Sequence, residues 1–188
     1  LALLAAFPWS ARLALQGWKR WTLYRPWTRP ARFDRNLIVI GAGAAGLVTS
    51  YIAATVKARV TLVERAEMGG DCLNTGCVPS KALISSARLA ARMRRADRYG
   101  LEPVEPRLSV RQVFARVAAK VEAIAPHDSV MRYEGLGVEV LRGHARLLDP
   151  WTVAIRTGAG AEQKLTARAI VLATGAEPVR PDWPGADA

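Results

Sequence analysis

The run Leu37-Ile38-Val39-Ile40 is apolar at four consecutive positions, which predicts a strand buried on both faces of a parallel sheet. A glycine-rich turn follows at 41–46, and residues 47–56 read as a helix. Residues 59–64 alternate into a second strand, Val60-Thr61-Leu62-Val63. Together these make a β-α-β unit of about 30 residues, with the right-handed crossover that chain chirality favours. Residues 65–77, rich in Gly, Asp and Asn, read as a loop. A helix is predicted from Pro79, tolerated in a first turn, to about Arg95, where Arg88, Arg92, Arg94 and Arg95 suit the helix dipole and a solvated face. Another starts at the N-cap Ser109, carries Val110, Val113, Phe114, Val117, Val121 and Ile124 on one stripe, and is limited by Pro126. Beyond Gly137 the period shortens, predicting short strands at 138–141, 145–148, 151–155 and 164–167, then an apolar strand at 169–173. The expected fold class is α/β: a parallel sheet with helices plus a small β-meander.

Residues 1–35 do not share this pattern. They hold four of the six tryptophans (Trp9, Trp18, Trp21 and Trp27) interleaved with arginine and interrupted by Pro8, Pro26 and Pro30, so no tight helical face is expected. Of the formal net charge of +11, this segment carries +6: seven Lys and Arg against Asp34 alone. The basicity is therefore largely local, and no nucleic-acid site is read into it. Trp with Arg suits a lipid headgroup interface, and a linker or packing arm is the competing reading. No apolar run reaches the roughly 20 residues of a membrane span, although the short run at 1–7 has the character of the end of one. The start at Leu1 and the stop in Pro184-Gly185-Ala186-Asp187-Ala188 lead us to expect a piece of a longer protein, with residues 36–188 the N-terminal portion of a nucleotide-binding domain.

Two patterns carry chemistry. Gly41-Ala42-Gly43-Ala44-Ala45-Gly46 satisfies G-x-G-x-x-G between a predicted strand and a predicted helix. Gly41 permits the tight turn, Gly43 lets backbone approach a pyrophosphate, and Gly46 allows close helix–strand packing. The helix N-terminus then offers N–H groups to phosphate, and Glu64, 23 residues after Gly41, is placed to bind a ribose. The second pattern is the only cysteine pair, Cys72 and Cys77. Cys77 precedes a helix whose dipole favours a thiolate, and Gly76 gives the backbone freedom for a small disulfide ring. A zinc site would need two further ligands, for which His127 and His144 lack useful spacing, and two ordinary buried thiols are the remaining alternative.

The stretch Gly69-Gly70-Asp71-Cys72-Leu73-Asn74-Thr75-Gly76-Cys77-Val78-Pro79-Ser80-Lys81 resembles the active-site signature of the class I pyridine nucleotide–disulfide oxidoreductases, which include dihydrolipoamide dehydrogenase, glutathione reductase and mercuric reductase. The likeness covers about residues 36–180. Asp71 departs from the Thr common before the first cysteine and Thr75 from a common Val, wording closest to mercuric-reductase-like and membrane-linked members. The resemblance implies a Rossmann-like FAD-binding domain, with Cys77 the flavin-proximal thiolate and Cys72 the interchange thiol of a redox-active disulfide. It carries Gly70, Asp71 and Lys81 over as cofactor-contacting, Lys81 favouring negative charge on the reduced ring. Gly143-His144-Ala145 resembles the strand that meets the adenine at Ala145, leaving His144 as a surface or packing residue. Ala173-Thr174-Gly175 resembles a strand-end turn that passes close to FAD.

The implied activity of the intact protein is electron transfer from NAD(P)H through FAD and the disulfide to a disulfide, metal-ion or related small-molecule acceptor. The rival is a membrane-associated, quinone reductase-like FAD protein without disulfide turnover. A homodimer is implied at full length, in the cytoplasm or at its membrane face. The second nucleotide-binding unit, a later flavin-contacting segment and the dimerisation domain of such enzymes have no counterpart before Ala188, so this chain alone is expected to turn over little or not at all.

Overall fold

A computed structural model describes residues 2–158, 160–177, 179, 182, 183 and 185, with side chains from residue 11 onward. Leu1, Arg180, Pro184 and the terminal Ala186, Asp187 and Ala188, together with the Trp9 side chain, lie outside the described residues.

The β-α-β unit consists of β1 (Arg35–Ile40), α2 (Ala44–Thr55) and β2 (Val60–Glu64), and it follows a helix α1 (Ala2–Tyr24). The thiol region forms a short helix α3 (Gly70–Asn74) and then α4 (Cys77–Arg94), followed by α5 (Val110–Ile124) and α6 (Val130–Gly135). Four strands complete the described chain: β3 (Val138–Arg142), β4 (His144–Leu147), β5 (Thr152–Arg156) and β6 (Glu162–Leu172). They form one six-stranded sheet in the order β3-β2-β1-β6-β5-β4. Pairing is parallel from β3 through β2 and β1 to β6, with Leu37 opposite Val60 and Ile38 opposite Ile170. It is antiparallel from β6 to β5 to β4, which is the meander. The expected α/β class is what is found.

Alternation along β1 explains the continuous apolar run. Val39 packs with Leu47, Leu62, Tyr133 and Val138 under α2 and α6. Ile38 and Ile40 point the other way, against Val63, Val153, Ile155 and Leu165 of the meander side. Both faces are covered, so neither set of side chains can be polar.

Three expectations are corrected. The segments at 164–167 and 169–173 are one strand, β6, whose first half pairs with β5 and whose second half pairs with β1. The loop at 65–77 contains α3, and α4 starts at Cys77 instead of Pro79. Residues 1–35 are not without a helical face: α1 runs 23 residues through Pro8, which removes one backbone donor without ending the helix. Ala14, Trp18 and Trp21 follow i, i+4, i+7 spacing on one face, while Arg12, Gln16, Lys19 and Arg20 follow it on another. The C-terminal end of α1 is held by Tyr24 stacked on Trp151, ring centroids 5.3 Å apart. Among the described residues no helix is long and apolar enough to cross a membrane.

At the N-terminal end of the sheet, Glu139 ties three strands together. It accepts from Thr61 Oγ1 at 2.6 Å and from Arg35 Nη2 at 2.7 Å. Burial alone would push this carboxyl up, but the Thr61 and Arg35 donors hold it below its ordinary value. A lowered carboxylate pKa stabilises the fold above the unfolded pKa, and that contribution is lost as pH falls through the folded value. Glu139→Gln is expected to lower stability by about 1 kcal/mol at neutral pH, a figure already discounted for partial exposure. In urea denaturation the difference from wild type should shrink below about pH 4.5; a constant difference down to strongly acidic pH would contradict the assignment.

Candidate dinucleotide and thiol site

Two of the three turn glycines are required by the chain itself. Gly41 has φ +104°, and a Cβ there would run into the carbonyl oxygen of Ala173 at the end of β6. A Cβ on Gly46 would collide with the carbonyl oxygen of Gly41. Gly43 is different, because its φ of −78° suits any residue and the nearest atom to an added Cβ is Gly70 Cα at 3.9 Å. Nothing in the chain forbids a side chain at Gly43, so the need for glycine there comes from what approaches the turn. The α2 helix also starts without a side-chain cap, leaving first-turn N–H groups for an anion.

This turn opens on a cavity of about 570 Å³ at the C-terminal ends of the parallel strands. Gly41, Gly43, Glu64, Gly70 and Asp71 line it, as do Ala145 from β4 and Ala173, Thr174 and Gly175 after β6. Gly46 lies beneath the turn, buried against it. Glu64 is buried, 8% exposed, and its carboxylate takes the Ala42 N–H at 2.5 Å and the Ala66 N–H at 2.7 Å. It thus joins the glycine turn to the loop after β2, and each oxygen keeps acceptor capacity for a ligand hydroxyl. A cavity with an open glycine cradle, uncapped helix N–H groups and a carboxylate at the end of the second strand fits a dinucleotide.

Sequence reasoning missed some of the wall. His144, read as a surface or packing residue, is exposed and lines the cavity. Arg65 and Glu177, which pair at 3.5 Å, also line it, as does Asn74. Each lies within or beside a stretch already singled out: Arg65 after Glu64, Asn74 between the cysteines, His144 before Ala145 and Glu177 just after Gly175.

The thiols sit just beyond Gly70 and Asp71. The Asp71 carbonyl accepts from the Thr75 N–H at 3.0 Å and from the Gly76 N–H at 2.5 Å, closing the chain back on itself. A Cβ on Gly76 would lie 2.9 Å from that same oxygen, so the closure admits glycine only. Asn74 braces the bend by donating Nδ2 to the carbonyls of Met68 and Gly70. The result is that Cys72, half-buried on α3, lies beside Cys77, the exposed first residue of α4. The adjacent Cys77 thiol, then burial, then the Cys77 charge push the Cys72 thiol pKa up; Lys81 opposes the rise and Asp128 adds to it. Asp128 is a neighbour that sequence spacing gave no means of finding.

Lys81 lies one turn after Cys77 and is exposed. It does not line the dinucleotide cavity; it faces a separate depression with Ile84, Arg88 and Arg116 between α4 and α5. Among the described residues there is no group of three or more His, Cys, Asp or Glu side chains that could hold a metal ion.

Residues 35–188 match the family model described as pyridine nucleotide-disulphide oxidoreductase. The dihydrolipoyl dehydrogenase of Zymomonas mobilis is 36% identical over 141 residues, covering 75% of this chain and 30% of that protein. The mercuric reductase of Acidithiobacillus ferrooxidans is 34% identical over 159 residues, covering 81% of this chain and 28% of that protein. The glutathione reductase of Nostoc sp. is 34% identical over 154 residues, covering 81% of this chain and 32% of that protein. The chain therefore spans about three tenths of the length of these relatives and, on the match over residues 35–188, belongs to the pyridine nucleotide-disulphide oxidoreductase family.

Proposed function

We propose that the intact protein is an NAD(P)H-dependent FAD oxidoreductase in which Cys72 and Cys77 form a redox-active disulfide. Members of this family use FAD and NAD(P)H. The observation that carries the reading is the bend that returns Thr75 and Gly76 to the Asp71 carbonyl and so sets Cys72 beside Cys77 at the head of α4, next to the wall of the dinucleotide cavity. FAD, when bound, supplies two-electron transfer between a nicotinamide and the disulfide.

The remaining chemistry belongs to the chain. Two electrons entering the Cys72–Cys77 bond break it, leaving a thiolate at Cys77 and, with one proton taken up, a thiol at Cys72. Deprotonated, Cys72 attacks one sulfur of a disulfide acceptor and expels the other as a thiolate. Cys77 then attacks Cys72, restores the ring and releases the second acceptor thiolate. A metal ion that binds soft sulfur would engage the same pair. Gly41, Gly43, Gly70, Ala145 and the turn Ala173-Thr174-Gly175 would hold the dinucleotide, Glu64 its ribose and the head of α2 its pyrophosphate, with Lys81 favouring negative charge near the thiols. A cytoplasmic homodimer and contact of residues 1–35 with a membrane surface belong to the same reading.

Gly43→Ala is expected to leave thermal stability within about 1 kcal/mol and to weaken FAD retention at least tenfold; Gly46→Ala should destabilise the fold by roughly 3 kcal/mol. Equal loss of stability in both would remove the case for a ligand at Gly43. In the intact protein, anaerobic two-electron reduction should give a long-wavelength thiolate–flavin absorption that Cys77→Ser abolishes. Persistence of the band in that variant would mean that Cys77 is not the proximal thiol, and its absence from wild type would favour the rival without disulfide turnover. Because pairing with Cys77 pushes the Cys72 pKa up, Cys77→Ala should let iodoacetamide alkylate Cys72 at lower pH than in wild type. An unchanged or raised onset would show that the thiols do not meet.

A further inference from the structure

The end of the sheet opposite the dinucleotide cavity carries a second depression of about 550 Å³, lined by Arg29, Pro30, Ala31, Arg32, Phe33, Arg59 and Arg168. All four arginines are exposed, and none is in an ion pair among the described residues. They come from three places in the chain: the segment after α1, the residue before β2, and the point where β6 turns from β5 to pair with β1. The nearby acid, Asp34, is committed to Thr166, whose N–H and Oγ1 it accepts at 2.8 and 2.7 Å. With four arginines against the single Asp34 carboxylate, which also acts on Arg59, the basin is a surface of net positive charge, separate from the charge along α1.

The amphipathic helix lies next to it in the chain. On α1, Trp18 and Trp21 are 61% and 58% exposed, and Leu13 is 63% exposed. Arg25 stacks on Trp21 and Arg29 on Phe33, with guanidinium carbons 5.0 and 5.6 Å from the ring centroids. An exposed Trp-bearing face, a basic face and an arginine basin together match the requirements of a helix lying in an anionic headgroup layer.

We infer that the N-terminal end of the sheet is a docking face for an anionic lipid surface, in which the Arg29–Arg32–Arg59–Arg168 basin holds headgroups while α1 inserts Trp18 and Trp21. The inference builds on the proposed membrane contact of residues 1–35 and adds the folded domain to it. It has a consequence for orientation. With β1 spanning roughly 20 Å between the two ends, the dinucleotide cavity and thiols face away from the membrane, open to small acceptors in water. Charge complementarity selects lipid over an apolar partner, and the tryptophans select it over a free anion.

The test is flotation of the 188-residue chain with phosphatidylcholine vesicles, with and without phosphatidylglycerol. Wild type should float only with phosphatidylglycerol and be released by high salt. At roughly fivefold in partitioning per basic residue, Arg59→Glu/Arg168→Glu should reduce flotation at least tenfold with its circular-dichroism melt intact. Should that pair unfold, the milder Arg59→Gln/Arg168→Gln reads the same two domain residues. Trp18→Ala/Trp21→Ala should weaken binding comparably. Folded basin variants that float like wild type would overturn this inference while leaving the contact through residues 1–35 standing. Wild type that does not float would overturn both, without touching the redox reading. Release by duplex DNA or by millimolar inorganic phosphate would reassign the basin to that anion and equally overturn the lipid proposal.

Discussion

Three backbone segments meet in this domain with no side chain between them, and most of the site follows from that meeting. The turn after β1 touches the end of β6 at Gly41 and Ala173, folds onto itself at Gly46 and Gly41, and approaches α3 at Gly43 and Gly70. A methyl group at either of the first two contacts would overlap a carbonyl oxygen. The closeness lets the Glu64 carboxylate reach the Ala42 and Ala66 N–H groups, which sets the loop that leads to α3. The head of α2, the cavity and the thiol-bearing bend are therefore parts of one arrangement whose spacing is set by backbone packing.

The thiol bend repeats the device on a smaller scale. Asp71 offers one carbonyl to two successive N–H groups, and Gly76 is the residue that can sit against it. This closure brings Cys72 to Cys77 at the start of α4 and gives the two sulfurs unlike surroundings, one half-buried and one exposed. Unequal environments suit a pair in which one sulfur meets a cofactor and the other a substrate. The sheet also has two chemically distinct ends: backbone N–H groups and a carboxylate at one, arginines at the other.

Where hydrophobic period and glycine spacing dictate structure, the chain is legible. The run Leu37-Ile38-Val39-Ile40 must be buried on both faces, and Gly41 and Gly46 of the turn are each set by a local clash. The meander was legible as short strands, but not the continuity of β6, because Thr166 and Arg168 interrupt its apolar pattern while hydrogen bonds to two different neighbours carry it through. The helix α1 was hidden by Pro8, whose helix-breaking tendency is outweighed by surrounding Ala and Leu of high helix propensity. Asp128 reaches the thiols through tertiary folding alone, and no spacing rule connects it to Cys72. Gly43 is the reverse case: the sequence motif marked it, and the absence of any contact within the chain that needs glycine is what ties it to a ligand.

A dinucleotide site and a two-thiol redox centre that operate as one unit fix the electron capacity of the intact, FAD-loaded protein. In an anaerobic dithionite titration, two electrons for the flavin and two for the Cys72–Cys77 disulfide make about four per protomer, falling to about two in Cys72→Ser. A wild-type capacity of two, unchanged in that variant, would mean that the thiols do not exchange electrons with the flavin.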